Sequence, residues 1–521
     1  MKKIIYSLIS ITVLFSTGCS DDYLNTVSPN SVSNETFWKT EKDVKLALVA
    51  CYSVLQRRNM YNSIGTGGSG FPGLDFATDD GYMTWDYKPG GALARGDYTT
   101  EDGMITGVWD DSYAGIARFN RLLDNINSIA ENELPTKNKN RYIAEAKYLR
   151  ALLYNNLAIL YRDVPLVTKS LGLSEANVAK NTNSEIVNFI LKDLLSCVED
   201  LPLPGTLPAS EWGRVTRGAG YALLSNIYLN NKMYKEAADY AKKVIDLNYY
   251  SLFADYKKLF TPANEQSKEI IFSVCFKRGL SGYGSGFGFF VNPRVPDNHH
   301  PLKNLANDYY LTDGLSVTAS PLFKPSLETE NRDPRFNTTL ISKGSLWQGT
   351  VVSNGQLVLT GYALRKWVEE NTANKTLSQD DSDQDFYVFR LGHVILDRAE
   401  ALVMAGGYSE TEVVGLINMI RQRVQMPKVE NVEGTGLSKE KLMEIIMHER
   451  RVETAFEGRR YFDLKRWGKL KERSDWYNVN EWANNSALQK RNFIEPKHNV
   501  WPIPQSEIDM DENLQQHAEW Q

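Results

Sequence analysis

The distribution of apolar and polar positions along the chain predicts a mainly α-helical protein. Between Arg141 and Pro165, Ala146, Leu149, Leu153, Leu157 and Leu160 recur at three- and four-residue intervals, which places them on one helical face. Pro165 has no amide proton to continue the ladder and is expected to stop the helix. From Thr216 to Leu247 the pattern predicts two helices. Leu223 and Ile227 mark the first face, and Ala237, Ala238, Ala241, Val244 and Ile245 mark the second. The break at Asn230-Asn231-Lys232 reads as a tight turn, and small Ala237 and Ala241 let the two helices approach closely. Leu224, Tyr228 and Ala237 have tetratricopeptide spacing. Phe386 to Val424 reads as helix, Gly406-Gly407 turn, helix, with Asp385 as the N-cap. Lys439 to Gly468 reads as a fourth helical unit.

Two stretches between these units have another character. Residues 61–98 interleave nine glycines with Tyr61, Phe71, Phe76, Tyr82, Trp85, Tyr87 and Tyr98, and residues 279–312 repeat the theme. Glycine permits sharp turns and close backbone approach. Long loops inside a compact protein are usually functional or disordered, and this many aromatics argues against disorder. The ligand-binding face is therefore expected here.

Composition narrows the classes. Hydrophobic residues at 42 % with a net charge of −5 describe a globular chain, not a disordered one. The acidic balance of 59 Lys and Arg against 64 Asp and Glu argues against nucleic acid as a partner. Four cysteines in 521 residues make no disulfide scaffold, and Cys51, Cys197 and Cys275 read as buried thiols. At the N-terminus, Lys2 and Lys3 precede the apolar run Ile4–Phe15, the layout of a secretory signal peptide over residues 1–18. Ser16-Thr17-Gly18-Cys19 resembles the lipobox of bacterial lipoproteins, which implies cleavage before Cys19 and its acylation as a membrane anchor. Asp21 and Asp22 resemble the surface-export signal of Bacteroidetes lipoproteins. No later stretch reaches 18 unbroken apolar residues, and residues 19–521 are expected to form one domain.

Catalytic signatures are sparse. Gly65 to Gly70 matches G-x-G-x-x-G in letters, but Phe71-Pro72-Gly73 follows it and opens no helix. His448-Glu449 starts a zinc motif that Val452 breaks. Glu449 and Glu453 are one helical turn apart and could form a hydrolytic carboxylate pair. Arg450, Arg451, Arg459 and Arg460 crowd them, however, and would keep both ionised within an ion network. Asp381, Asp383 and Asp385 resemble the start of a calcium loop, but Phe386 stands where glycine is needed and Gly392 where glutamate is needed. An acidic, solvated loop is expected instead. No catalytic residue, metal site or cofactor is predicted.

Aromatics beside polar side chains suit a sugar, whose C–H face stacks on a ring while its hydroxyl rim takes hydrogen bonds. Asp79, Asp80, Tyr82, Trp85, Asp86, Tyr87 and Arg95 supply that mixture, and Tyr283, Phe287, Asn298 and His299 could form a second wall. The candidate ligand residues are Asp80, Tyr82, Trp85, Tyr87, Arg95, Tyr283 and Phe287. Each ring among them either meets ligand or packs the loop.

The chain resembles the SusD/RagB family of outer-membrane nutrient-binding lipoproteins of Bacteroidetes. The segments carrying the resemblance run in family order: Asp22-Tyr23-Leu24-Asn25, FWKTEKDVKLALVACYSVL, VWDDSYAGIARFNRLLDNI, AEAKYLRALLYNNLAILYRDVPLV, TRGAGYALLSNIYLNNKMYKEAADYAKKVI, FRLGHVILDRAEAL, HERRVETAFEGRRYFDLKRWG and NVWPIPQSEI. The resemblance implies a SusD-like scaffold of tetratricopeptide-like helix pairs with a loop-rich ligand face. It implies a cell-surface, lipid-anchored protein of the outer membrane that binds oligo- or polysaccharide. Its implied partner is a SusC-like TonB-dependent transporter, which it caps as a hinged lid. A RagB-like branch handles peptides, so peptide capture is a second expectation, and a surface glycoside hydrolase is a third.

Overall fold

In the computed structural model the described residues are 37–62, 70–83, 89–280, 282–287, 299–357, 359–368, 381–475, 479–480 and 487–521. Cys19, Trp85, Asp86, Tyr87 and Asn298 lie outside them, as does most of the Gly65–Gly70 run. The principal helices are α1 Glu41–Tyr52, α2 Gly103–Asn125, α3 Thr136–Tyr161, α4 Asn183–Leu195 and α5 Arg217–Asn230. They continue with α6 Tyr234–Asp246, α7 Leu391–Ala405, α8 Glu410–Arg423, α9 Lys439–Thr454 and α10 Arg460–Arg466. Strands are short: β1 Gly81–Met83, β2 Ile270–Val274, β3 His299–Pro301 and β4 Phe386–Arg390 are those that bear on the site.

The predicted helix pairs are present. Helix α5 packs on α6, α6 on α7 and α7 on both α8 and α9, while α3 packs between α2 and α4. The α3 helix ends at Tyr161, ahead of Pro165, where Arg162 turns left-handed at φ 66°. Ala237 and Ala241 are fully buried between α5 and α6, and the Ser225 hydroxyl donates to the Ala237 carbonyl at 2.9 Å. Tyr228 stacks on Tyr240 with centroids 5.5 Å apart. Small side chains at the contact bring the helix axes close, as the spacing predicts. The largest cluster of buried apolar side chains runs from Trp38 to Leu514, and a second gathers α7, α8 and α9.

One predicted helix start is corrected. Phe386–Arg390 is strand, paired antiparallel with β2, and all five residues are buried. The run Phe-Tyr-Val-Phe is continuously apolar and aromatic, which suits a strand covered on both faces. Helix α7 therefore begins only at Leu391, and Asp385 caps no helix. The two glycine-rich regions are joined to each other: β1 pairs antiparallel with β3, with Tyr82 opposite His300.

Candidate ligand-binding groove

The structure turns most of the described loop aromatics inward. Tyr61, Phe71, Phe76, Tyr82, Tyr98 and Phe287 are all buried. Phe287 is fully enclosed, stacked on Phe386 at 5.8 Å and beside Trp367 at 5.6 Å. Tyr82 packs with Leu302. Asp79 and Asp80 are likewise interior. Arg460 donates to both Asp79 oxygens at 2.9 and 2.8 Å, and Arg451 donates to Asp80 at 2.7 Å. Burial raises the Asp80 pKa, and the charges of Arg451 and Arg460 oppose the rise. The expectation that Asp80, Tyr82 and Phe287 meet ligand is thus corrected: their surfaces are committed to packing and ion pairing. His299, offered for the second wall, is also fully buried. The physical cause is that glycines and the β1–β3 ladder fold these segments back on the scaffold. Gly81, for example, leaves only 2.5 Å between an added Cβ and the Phe76 ring. Arg95 ends the short helix Pro89–Arg95 and donates to Asp97 at 2.9 Å.

Tyr283 is the exception, half exposed at 50 %. Its turn is held by its own backbone, since Lys277 N donates to the Tyr283 carbonyl at 2.7 Å. It is held again by the three spaced aspartates. Asp385 accepts from Phe276 N at 2.8 Å, Asp383 from Arg278 N at 2.9 Å and Asp381 from Gly279 N at 2.8 Å. Alternate residues of an extended segment point the same way, so three carboxylates can grip one neighbouring backbone. The solvated acidic loop expected from sequence is instead a backbone clamp. Among the described residues no group of His, Cys, Asp or Glu is placed to hold a metal ion.

Tyr283 forms one wall of an open groove of about 410 Å³. Helix α1 also lines it, with Leu46 and Val49 55 % and 54 % exposed. Trp212 and Arg214 and the end of β2 complete it. Trp212 was not anticipated. Its only signal in the sequence is a lone indole in a proline-rich connection between α4 and α5. The polar groups of the groove are fixed. Gln56 donates to the Cys275 carbonyl at 2.6 Å, and the Arg214 guanidinium lies 5.1 Å above the Tyr52 ring. Tyr52 donates to buried Glu145 at 2.6 Å, and Arg214 reaches the same carboxylate at 3.3 Å. Apolar faces beside anchored polar groups are the makings of a small-molecule or sugar site.

The Glu449 and Glu453 pair is fully buried, with partners other than the adjacent arginines. Arg335 contacts Glu449 at 2.6 Å and Glu453 at 3.1 Å, and Arg421 reaches Glu449 at 2.9 Å. Arg423 and Arg390 reach Glu453 at 2.5 and 2.6 Å. Arg450 turns instead to Asp397 and Asp463, and Arg451 to Asp79, Asp80 and Asp308. Burial would raise both glutamates, but these guanidinium charges outweigh it and hold both below the ordinary carboxylate range. A carboxylate so held keeps no proton at neutral pH to give a leaving group. His448 donates to the Asp308 carbonyl at 2.7 Å and stacks on Tyr310.

The chain is similar to known proteins along most of its length. Residues 268–520 match the profile described as the SusD family, and residues 22–229 match one described as starch-binding associating with outer membrane. SusD-like protein P25 of Formosa agariphila is 25 % identical over 540 aligned positions, covering 97 % of both chains. The crystal structure of a SusD-like carbohydrate binding protein from Bacteroides fragilis superposes with a TM-score of 0.80 at 27 % identity, covering 92 % of this chain and 100 % of that one. A laminarin binding SusD-like protein superposes with a TM-score of 0.73 at 26 % identity, with the same coverage.

Proposed function

The chain belongs to the SusD/RagB family, and from that membership we propose that it is a non-catalytic glycan-binding lipoprotein of the outer membrane surface. In this reading residues 1–18 are removed, Cys19 carries the lipid, and residues 19–521 act as one domain. The protein captures oligo- or polysaccharide and delivers it to a SusC-like TonB-dependent transporter. The observation that carries the proposal is the pair of family profiles covering both halves of the chain, one of them described as starch-binding at the outer membrane. The groove between α1 and Tyr283 supports it, because it offers solvent-facing rings beside anchored polar groups. Trp85, Tyr87 and Arg95 are proposed as further contacts.

The test is calorimetric titration of mature protein with starch, laminarin, other soluble glycans and short peptides. Heat on glycan with no release of reducing sugar is expected. Binding of peptides alone, or sugar release at catalytic rates, overturns the proposal. Tyr283→Ala is expected to weaken glycan binding about tenfold, the scale of removing one stacked ring.

A further inference from the structure

The groove does not end at Trp212. Next to it lies a second hollow of about 250 Å³, lined by Pro204, Leu207, Tyr249, Tyr250 and Ile271 among others. Trp212, Gly213, Arg214 and Ser273 line both hollows. The two hollows thus adjoin along this shared segment, together forming a trough whose saddle is the segment itself, where Trp212 is 38 % exposed.

The saddle is built firmly. Before it, Glu211 is held by Arg141 at 2.7 Å. After it, Arg214 is held by Glu145 at 3.3 Å. Between them Gly213 adopts φ 85°, and an added Cβ would sit 2.5 Å from the Cys275 sulfur. Only glycine lets this loop press against the end of β2. The exposed indole is therefore presented by a loop fixed on both sides, which lowers the ordering cost of binding.

The charge of the trough selects its occupant. Among the described residues its charged lining is Glu211 and Arg214, and each is neutralised by a partner behind it. What remains is uncharged: aliphatic side chains such as Leu46 and Leu207, the rings of Trp212 and Tyr283, and the hydroxyls of Thr216, Ser273 and Tyr250. We propose that the trough takes an extended, uncharged oligosaccharide that crosses Trp212 with sugar units in both hollows. This rests on the glycan-binding reading above and adds to it a chain-length requirement and a neutral ligand class.

The experiment titrates the full mature protein with malto- and laminari-oligosaccharides from the disaccharide to the hexasaccharide, and with acidic oligogalacturonides of matching length. For wild type, affinity is expected to rise at least about tenfold along the neutral series. Trp212→Ala is expected to flatten that rise while the melting temperature holds, and Trp212→Phe to restore part of it. No heat with any glycan removes the glycan-binding reading, and this inference with it. Affinity independent of length, or a rise that survives in Trp212→Ala, overturns the inference alone. Tighter binding of the acidic series overturns the neutral ligand class. Should Trp212→Ala fail to fold, the Trp212→Phe and wild-type series decide between the same outcomes.

Discussion

Glu453→Gln is the sharpest probe of the protein's interior. Glu453 belongs to a cluster in which Arg335, Arg390, Arg421, Arg423 and Lys366 interleave with Glu269, Asp333, Glu449, Glu453 and Glu457. Five cations meet five carboxylates, and no side chain among them is more than 8 % exposed. These ten groups sum to zero charge. The substitution keeps the shape of the side chain but leaves one net positive charge in the interior and turns an amide donor toward three guanidinium groups. Each broken ion pair is worth about 4 kcal/mol of Coulomb energy at an effective dielectric near 20, partly offset by relaxation. Breaking a buried pair from one side costs about 3–5 kcal/mol. For a chain of this length, the unfolding entropy makes that about 3–5 °C in Tm.

The assay is urea denaturation with a calorimetric scan, run beside Lys235→Ala. Lys235 pairs with Asp239 at the surface, 80 % and 58 % exposed, and its removal is expected to leave the stability essentially unchanged because solvent screens the pair. Burial has already pulled the Lys366 pKa down to about 8, so Lys366 can release its proton and relieve the excess charge. The penalty of Glu453→Gln is therefore expected to be smaller near pH 9 than near pH 7. A variant as stable as wild type refutes the reasoning. So does a folded, fully stable variant that loses an activity, because that is how a catalytic carboxylate behaves.

Three other outcomes are expected. Cys19→Ala moves the protein from the membrane fraction to the soluble one, and persistent membrane association rejects lipid as the main attachment. Burial holds His498 and His517 down to about 4, whereas in the unfolded chain they titrate near 6.5. The unfolded state then binds the extra protons, so stability is full above about pH 6.5 and falls toward pH 4 by at most about 1.4 kcal/mol per pH unit for each histidine. Urea midpoints that stay flat from about pH 7.5 to pH 5 contradict this. Asp383→Ala removes the carboxylate that accepts from Arg278 N, and hydrogen exchange at that amide is expected to accelerate about tenfold. An unchanged rate means the aspartate does not hold the turn.

What the sequence revealed depended on how far each interaction reaches along the chain. The α5–α6 pair was legible because Leu224, Tyr228 and Ala237 set its packing within fourteen positions. Strand β4 reads as helix in the sequence because Phe386–Arg390 runs straight into a true helix, and its partner β2 lies far upstream. The inward turn of Asp80 was invisible because Arg451 is 371 residues away. The sequence points to an ion network around Glu449, but with adjacent arginines as partners; the shortest ion pair of Glu449 is with Arg335, 114 positions distant. Among the loop aromatics, glycine-rich composition marked the region without distinguishing exposed Tyr283 from enclosed Phe287. That distinction belongs to packing.

The three-aspartate clamp separates the mounting of the loop from its identity. Asp381, Asp383 and Asp385 hold the backbone amides of Gly279, Arg278 and Phe276, and a backbone amide is the same whatever side chain it carries, proline excepted. The ring at Tyr283 can therefore be exchanged for another side chain without unhooking its support. One rigid fixture could present many different ligand-facing surfaces, so changing specificity at this wall need not endanger the fold behind it.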